Sequence, residues 1–161
     1  MIPYKELTTH IPQGLREHLS VPVIRANQTA PAPPYPYGTY NVTTIATANR
    51  GTWQKHPDGI DRKLVRSIWS LSFLSDDEDE SVFLAVKARS WFEHTGRVWL
   101  AEQGITVQSV TDISNRDNLL TVDYERKNGF DVFLYVYDEV DDPTSAYGNI
   151  ENVETNYERT N

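Results

Sequence analysis

The chain has 161 residues, a formal net charge of −8, no cysteine and 39% hydrophobic residues. This length and composition predict a single domain with one hydrophobic core. The lack of cysteine excludes disulfides, thiol nucleophiles and cysteine-ligated zinc. The negative charge disfavours specific nucleic-acid binding, because that affinity comes mainly from lysine and arginine. The sequence has no apolar run of transmembrane length, and residues 1–10 lack the layout of a signal peptide.

A helix is predicted over residues 3–19, because apolar residues recur at every fourth position and therefore share one stripe. Pro12 and Gly14 interrupt the stripe, so two short helices or a kink are expected. The residues of the stripe are Leu7, Ile11, Leu15 and Leu19.

Five prolines and three tyrosines crowd residues 22–40. Proline fixes φ and has no N–H, so this stretch is not expected to form a helix or an inner strand. We predict a semi-rigid, extended, polyproline-like arm that lies on a surface and suits contacts with a neighbouring subunit. The chain then divides into a helical segment (1–20), a proline-rich arm (21–38), an α+β core (39–142) and a polar C-terminal tail (143–161).

The core opens with a β-branched strand over residues 40–48 and a loop over 49–61. Residues 64–74 alternate as a strand does, and the acidic residues 76–80 suit the positive end of a following helix, 79–94. A short helix, 97–103, ends at Gly104. The strand is expected to bury Val65, Ser67, Trp69, Leu71 and Phe73, and the first helix Leu84, Ala85, Ala88, Trp91 and Phe92.

Three strands are predicted in the last third of the chain, at residues 105–113, 119–126 and 130–139. Asn128-Gly129 is a strong hairpin signal, since both positions of such a turn need positive φ. The final strand is apolar on both faces, so it is either covered twice or meets another subunit. Successive antiparallel strands with helices beside them indicate an α+β fold, in which an antiparallel sheet carries its helices on one side.

No motif in the sequence predicts catalysis, and none predicts a metal or a cofactor. The four histidines lack metal-ligand spacing, and the acidic run lacks the spacing and central glycine of a calcium loop. The carboxylates near residue 140 are interpreted as a solvated turn. Phosphate loops, dinucleotide fingerprints and nucleophile elbows are missing from the sequence. We therefore predict that the protein is not an enzyme.

Two residues allow alternative interpretations. Trp53 either stacks on a nucleobase or contacts another subunit. Arg116, within Asn115-Arg116-Asp117, is either an exposed residue of a tight turn or an interface arginine that pairs with a neighbour's carboxylate.

Several segments, in their order and spacing, resemble the phage neck and tail terminator proteins. They are residues 23–28 with the proline–tyrosine arm, the 65–73 strand, the 85–92 helix with Trp91-Phe92, Gly104-Ile105, Asn115-Arg116-Asp117, and Tyr124-Glu125-Arg126 leading into 128–132. The resemblance implies a small α+β subunit of a hexameric ring, which terminates the tail tube and joins the tail to the head connector. It implies no catalytic residues and no cofactor.

The partners implied by the resemblance are further copies of the chain, the tail tube protein, a neck or connector protein and, in contractile tails, the sheath. DNA is expected only to pass through the ring, whose lumen should be acidic, and no membrane is involved. The implied location is the virion neck, assembled in the host cytoplasm.

Two other functions stay open on sequence alone. One is another neck component, such as a head-completion (stopper) or tail-completion protein, and the other is a monomeric peptide-binding module with aromatic grooves. The tyrosines of the arm and of the final strand are expected to be exposed. The candidate contact residues are Arg25, Gln28, Pro34, Tyr35, Tyr37, Trp53, Arg116, Tyr135 and Tyr137.

Overall fold

Three helices lie against one face of a β-sheet in the computed structural model, which describes residues 1–47, 52–119 and 124–141. The predicted tail (143–161), Ala48 and residues 120–123 of a predicted strand lie outside the described residues. The elements in chain order are α1 (Tyr4–Leu19), β1 (Val23–Arg25), β2 (Tyr37–Thr47), β3 (Ile60–Ser75), α2 (Glu78–Glu93), α3 (Thr95–Glu102), β4 (Thr106–Val110), β5 (Ser114–Asn115), β6 (Asn118–Leu119) and β7 (Tyr124–Asp141).

The main strands of the sheet are ordered β1-β2-β3-β7-β4, and the short strands β5 and β6 pair with β7. The pairing of β1 with β2 is parallel, whereas the other pairings between described strands are antiparallel. The predicted α+β class is confirmed. The sheet is mixed rather than purely antiparallel, because the start of the proline-rich segment joins it as an edge strand.

The first helix runs without interruption from Tyr4 to Leu19, so the prediction of two short helices is wrong. A proline inside a helix destabilises the helix by about 3 kcal/mol. Burial of the four side chains of the stripe stabilises it by about 1.5–3 kcal/mol each, which outweighs the effect of the proline. Gly14 serves packing rather than a turn, since a Cβ there would lie 2.6 Å from the Trp91 ring. The buried stripe is Leu7, Ile11, Leu15 and Leu19, as predicted.

The predicted arm is only partly separate from the core. Residues 23–25 form β1, and the side chain of Val23 is buried against the sheet. Residues 28–32 and Pro34 are exposed, in keeping with a surface segment. The arm therefore leaves the sheet after Arg25 and rejoins it at Tyr37, where β2 begins.

The alternation predicted for β3 and the apolar side predicted for α2 are both confirmed. The five alternating residues of β3 and the five named residues of α2 are buried. The carboxylate of Asp77 caps α2 by accepting hydrogen bonds from the backbone N–H groups of Asp79 and Glu80. Among the described residues, the helices are too short or too polar to cross a membrane.

The hairpin predicted at Asn128-Gly129 is wrong, because both residues lie inside the single long strand β7. Asn128 lies opposite Phe73 and Gly129 opposite Ser72 in the pairing with β3. A Cβ on Gly129 would overlap the backbone oxygen of Leu71. The glycine is therefore needed for close approach of two strands, not for a turn.

Ser81 ties α2 to both central strands. Its hydroxyl accepts hydrogen bonds from the backbone N–H and the side-chain amide of Asn128, at 3.1 and 3.0 Å. It donates to the backbone oxygen of Phe73 at 2.9 Å. Ser81 and Asn128 are both buried, so each polar group depends on this junction for its partner.

We expect Gly129→Ala to destabilise the fold by about 1–3 kcal/mol, because the added methyl overpacks a backbone that the sheet holds in place. Gly104→Ala is the matched control, because Gly104 has positive φ but open space around its Cβ position. The control should lose only about 1 kcal/mol, from backbone strain. Urea unfolding measures both, and a Gly129→Ala protein as stable as wild type would contradict the close approach.

We expect Ser81→Ala to lower the free energy of unfolding by about 1–3 kcal/mol, since it leaves the buried amide groups of Asn128 without an acceptor. Ser90→Ala, on the exposed side of the same helix, should change it by less than about 0.5 kcal/mol. Thermal unfolding followed by circular dichroism compares the two variants. Equal stability would show that Ser81 does not link the layers.

Candidate interaction surface

The sheet face without helices, called the open face below, has a polar and an apolar part. Rows of paired residues cross it from strand to strand. Asn41, Ser70 and Asp131 form one row, and Thr39, Ser72 and Gly129 form the next. Further along the strands, the rows contain the apolar residues Ile68, Phe133, Tyr135, Leu64 and Tyr137. The open face thus offers two chemically different surfaces side by side.

Arg116 lies across the polar part of the open face. One guanidinium nitrogen donates to the hydroxyls of Ser70 and Ser72, at 2.8 and 3.3 Å, and to the backbone oxygen of Leu71 at 3.2 Å. The other pairs with the carboxylate of Asp131 at 3.0 Å. Arg116 is therefore half-buried, not an exposed residue of a turn, and the carboxylate that it pairs with belongs to its own chain.

The Asn115-Arg116-Asp117 turn is fastened to β7. The Asp117 carboxylate accepts from the backbone N–H of Lys127 at 2.6 Å and from the Arg126 guanidinium at 3.2 Å. The Lys127 hydrogen bond is the main cause that lowers the pKa of Asp117, followed by contacts with Asn115 and Arg126. The Asn115 side chain accepts from the Asp117 backbone at 2.8 Å, as the predicted tight turn requires.

A polar hollow of about 310 Å³ opens beside Arg116. It lies between the end of β1 and the polar rows of the sheet. Two of its lining residues are cationic, and the residues that line it include no carboxylate. The lining consists of Ala26, Asn27, Thr39, Asn41, Thr43, Ser70, Ser72, Arg116 and Lys127.

The apolar part of the open face centres on Phe133. The Arg66 guanidinium lies over its ring, 5.5 Å from the centroid, in a cation–π contact. Tyr135, a predicted contact residue, follows on the same face and is half-buried, lying opposite Arg66. This part of the surface is aromatic and sparsely charged.

Beyond Arg66 the pair β3–β7 continues as a two-stranded ribbon, formed by residues 60–64 and 137–141. Leu64 and Tyr137 face each other across it and expose 39% and 47% of their surface. Val140 is also exposed, on the opposite side of the ribbon. Ion pairs from Arg62 to Asp58 and Glu139, both at 2.8 Å, hold the ribbon together.

Helix α2 is apolar on its outer side as well as its buried side. Phe83 exposes 62% of its surface, and Val82 and Val86 are exposed next to it. Asp79 lies one turn before Phe83 and shares this outer face, since residues 3, 4 and 7 apart lie on one side of a helix. We call Asp79, Val82, Phe83 and Val86 together the outer face of α2.

Of the two tyrosines of the arm, Tyr35 is exposed as predicted and Tyr37 is not. Tyr35 is exposed, stacks on Tyr37 at 5.6 Å between ring centroids, and donates to the Glu125 carboxylate at 2.9 Å. Partial burial, then Glu125, raises the pKa of Tyr35 to about 12. Tyr37 is only 5% exposed, so the prediction that it is exposed is wrong. Its place at the start of β2 puts its ring behind that of Tyr35.

The other candidate residues are scattered. Arg25, Gln28 and Pro34 are exposed in the proline-rich segment, and Arg25 donates to the Tyr4 hydroxyl at 3.1 Å. Trp53 is exposed beside the ribbon, because its neighbour Gln54 forms a bridge with Arg62. The candidates therefore do not form one site.

Sequence reasoning missed Leu64, Phe83 and Lys127. Leu64 was predicted only as part of a strand, although its alternation with buried Val65 already placed it on the outer side. Phe83 was identifiable as an aromatic residue on the wrong side of an amphipathic helix. Lys127 gave no local signal, since only pairing across the sheet brings it to the hollow.

A second hollow of about 400 Å³ lies among the three helices, against the rings of Trp91 and Trp99, with Glu17 and His18 at its rim. In the described part of the chain, His, Asp and Glu side chains form no cluster of three or more that suits a metal ion.

Comparison with known proteins places the chain in a family. A search of curated proteins found no match. The family model described as phage neck terminator protein matches residues 4–161, nearly the full length. This agrees with the resemblance read from the sequence, and it makes the chain a structural component of the phage neck, and so of the virion, in contact with other head or tail components. The chain belongs to the phage neck terminator protein family.

Proposed function

We propose that this protein forms a closed homo-oligomeric ring of six copies, which terminates the tail tube and joins the tail to the head connector. The family supports the place in the neck, and the number six comes from the resemblance. The observation that carries self-assembly is the ribbon, which presents Leu64 and Tyr137 to solvent as an apolar cross-strand pair. Such contiguous exposed apolar surfaces mark protein–protein contacts.

A closed ring needs two different surfaces that fit each other, since each subunit uses one towards each neighbour. The ribbon with the apolar part of the open face supplies one surface, and the outer face of α2 supplies the other. They lie on opposite sides of the sheet, because the helices cover the face opposite the open one. That separation suits a head-to-tail contact between successive subunits.

The proline-rich segment and Trp53 are proposed as additional contacts with the neighbour or with the tail tube. Gln28 and Pro34 are exposed without being required for the core. The net charge of −8 supports passage of DNA without retention, since an acidic lumen repels the phosphate backbone. No catalytic activity is proposed.

We expect Leu64→Ser combined with Tyr137→Ser to weaken ring formation. Removing each large side chain from a buried contact costs about 1.5–3 kcal/mol, so the protein concentration at half-assembly should rise tenfold or more. Light scattering over a concentration series, with and without purified tail tubes, measures assembly. Negative-stain electron microscopy then shows whether rings sit on tube ends.

Gln108→Ser is the control, since it shortens an exposed side chain on the edge strand β4. It should assemble as wild type does, and all variants should keep the wild-type melting temperature within a few degrees. Normal capping of tubes by the double variant would exclude the ribbon from the subunit contact. A wild-type protein that stays monomeric even with tubes would overturn the proposed ring.

A further inference from the structure

We propose that the polar hollow on the open face is a carboxylate-binding site, and that its occupant is Asp79 from the outer face of α2 in a second copy of this chain. This inference rests on the proposed ring and specifies which surfaces meet in it. The neighbour's α2 lies along the open face, with its acidic first turn at the hollow and its apolar residues towards Phe133.

The ammonium group of Lys127 supplies the unbalanced charge of the hollow. Within the residues that the structure describes, the Lys127 side chain makes no hydrogen bond and no ion pair, although its backbone groups are used. Arg116 also lines the hollow, but Asp131 balances its charge. The hollow thus carries about one net positive charge on a protein of net charge −8.

Some neutral groups of the hollow are left to donate, although the Thr39 and Thr43 hydroxyls that also line it donate to backbone oxygens of Ser72 and Ile68. The hydroxyl oxygens of Ser70 and Ser72 accept from Arg116, which leaves their O–H groups to donate. In the described residues, neither O–H group has an acceptor. Asn27 and Asn41 add side-chain amide groups that bind no other described residue, so the hollow combines several donors with a cation and lacks a carboxylate.

Arg116 keeps this arrangement rigid. Its guanidinium is held by five acceptors in all, and the turn that carries it is fastened to β7 through Asp117. A rigid set of donors lowers the entropic cost of binding. Arg116 is therefore a positioning residue, and Lys127 is the residue that meets the ligand's charge.

The acidic start of α2 has the matching charge. Asp77 caps its own helix and Glu80 accepts from Ser75, but in the described structure the Asp79 side chain has no partner. Asp79 also leads the apolar outer face that ends at Val86, about 10 Å further along the helix axis. On the open face, Phe133 lies two to four residues, about 7–14 Å, from the rows that border the hollow, and six residues, about 20 Å of strand, from Lys127 itself. On both surfaces a charge is therefore followed by apolar residues, in the same order.

Charge reversal tests this contact. Lys127→Glu and Asp79→Lys should each raise the concentration at half-assembly about tenfold or more, as for close charge pairs at interfaces. The double variant restores the pair with opposite signs and should assemble within about threefold of wild type. Lys5→Glu and Glu6→Lys, both exposed on α1, change net charge equally and should have little effect.

A second test uses the absence of cysteine from the chain. A protein carrying both Lys127→Cys and Asp79→Cys should give a ladder of cross-linked species, up to the full ring, with a short bismaleimide. Each single-cysteine protein should stop at dimers. This readout needs only transient association and introduces no reversed charge, so it remains informative if a charge reversal affects folding.

The outcomes separate the two proposals. If wild-type rings form but both reversals assemble normally and no ladder appears, the hollow is not the contact and the ring still stands. If only Lys127→Glu impairs assembly, or the double variant is not rescued, Asp79 is not the occupant. If wild-type protein forms no ring with or without tubes, the proposed function itself fails.

Discussion

The pairing of β3 with β7 is the constraint on which the rest of the structure depends. It runs unbroken from Ile60 opposite Asp141 to Ser75 opposite Arg126. Its middle section carries the hydrophobic core on one face and Arg116 on the other, while its far end becomes the ribbon. Because side chains alternate strictly along both strands, a shift of one residue would bury the open face and expose the core. Gly129 suits this register, since a side chain at its position would overlap the β3 backbone.

The alternation predicted much of this arrangement, because it is a local property of the sequence. The positions of Trp69 and Leu71 indicated which face of β3 is buried, and helical spacing predicted the apolar side of α2. The prediction of a hairpin at Asn128-Gly129 was wrong because turn propensity is also a local property. The hydrogen-bond partner of Asn128 is Ser81, which lies 47 residues away. The parallel strand β1 was missed for a similar reason, since three residues before a proline-rich segment contain too little pattern to show a partner.

The candidate surface was harder to predict than the fold. The sequence named Arg116 and Tyr137 as contact residues, because arginine in a tight turn and aromatic residues in a two-sided strand are unusual, and their role as contacts stays a prediction. It could not assign their surroundings, which come from distant segments: Arg116 meets Ser70 and Asp131 only once the sheet has formed. Lys127 could not be identified from the sequence for the same reason, since only the folded sheet brings it to the hollow. Contacts that depend on the pairing of strands cannot be predicted before the register of the strands is known.

The charge of the protein limits how its copies can associate. Subunits of net charge −8 repel one another, and apolar contact has to exceed that repulsion in a ring. Apolar burial is not directional, so alone it would not select a single arrangement of neighbours. A cationic hollow beside an apolar surface makes the proposed contact directional, because the carboxylate of the incoming helix binds favourably in only one orientation of that helix. Salt weakens both the repulsion and this local attraction. In the proposed ring, the apolar surfaces therefore supply the free energy of association, and the polar end of the open face selects the geometry.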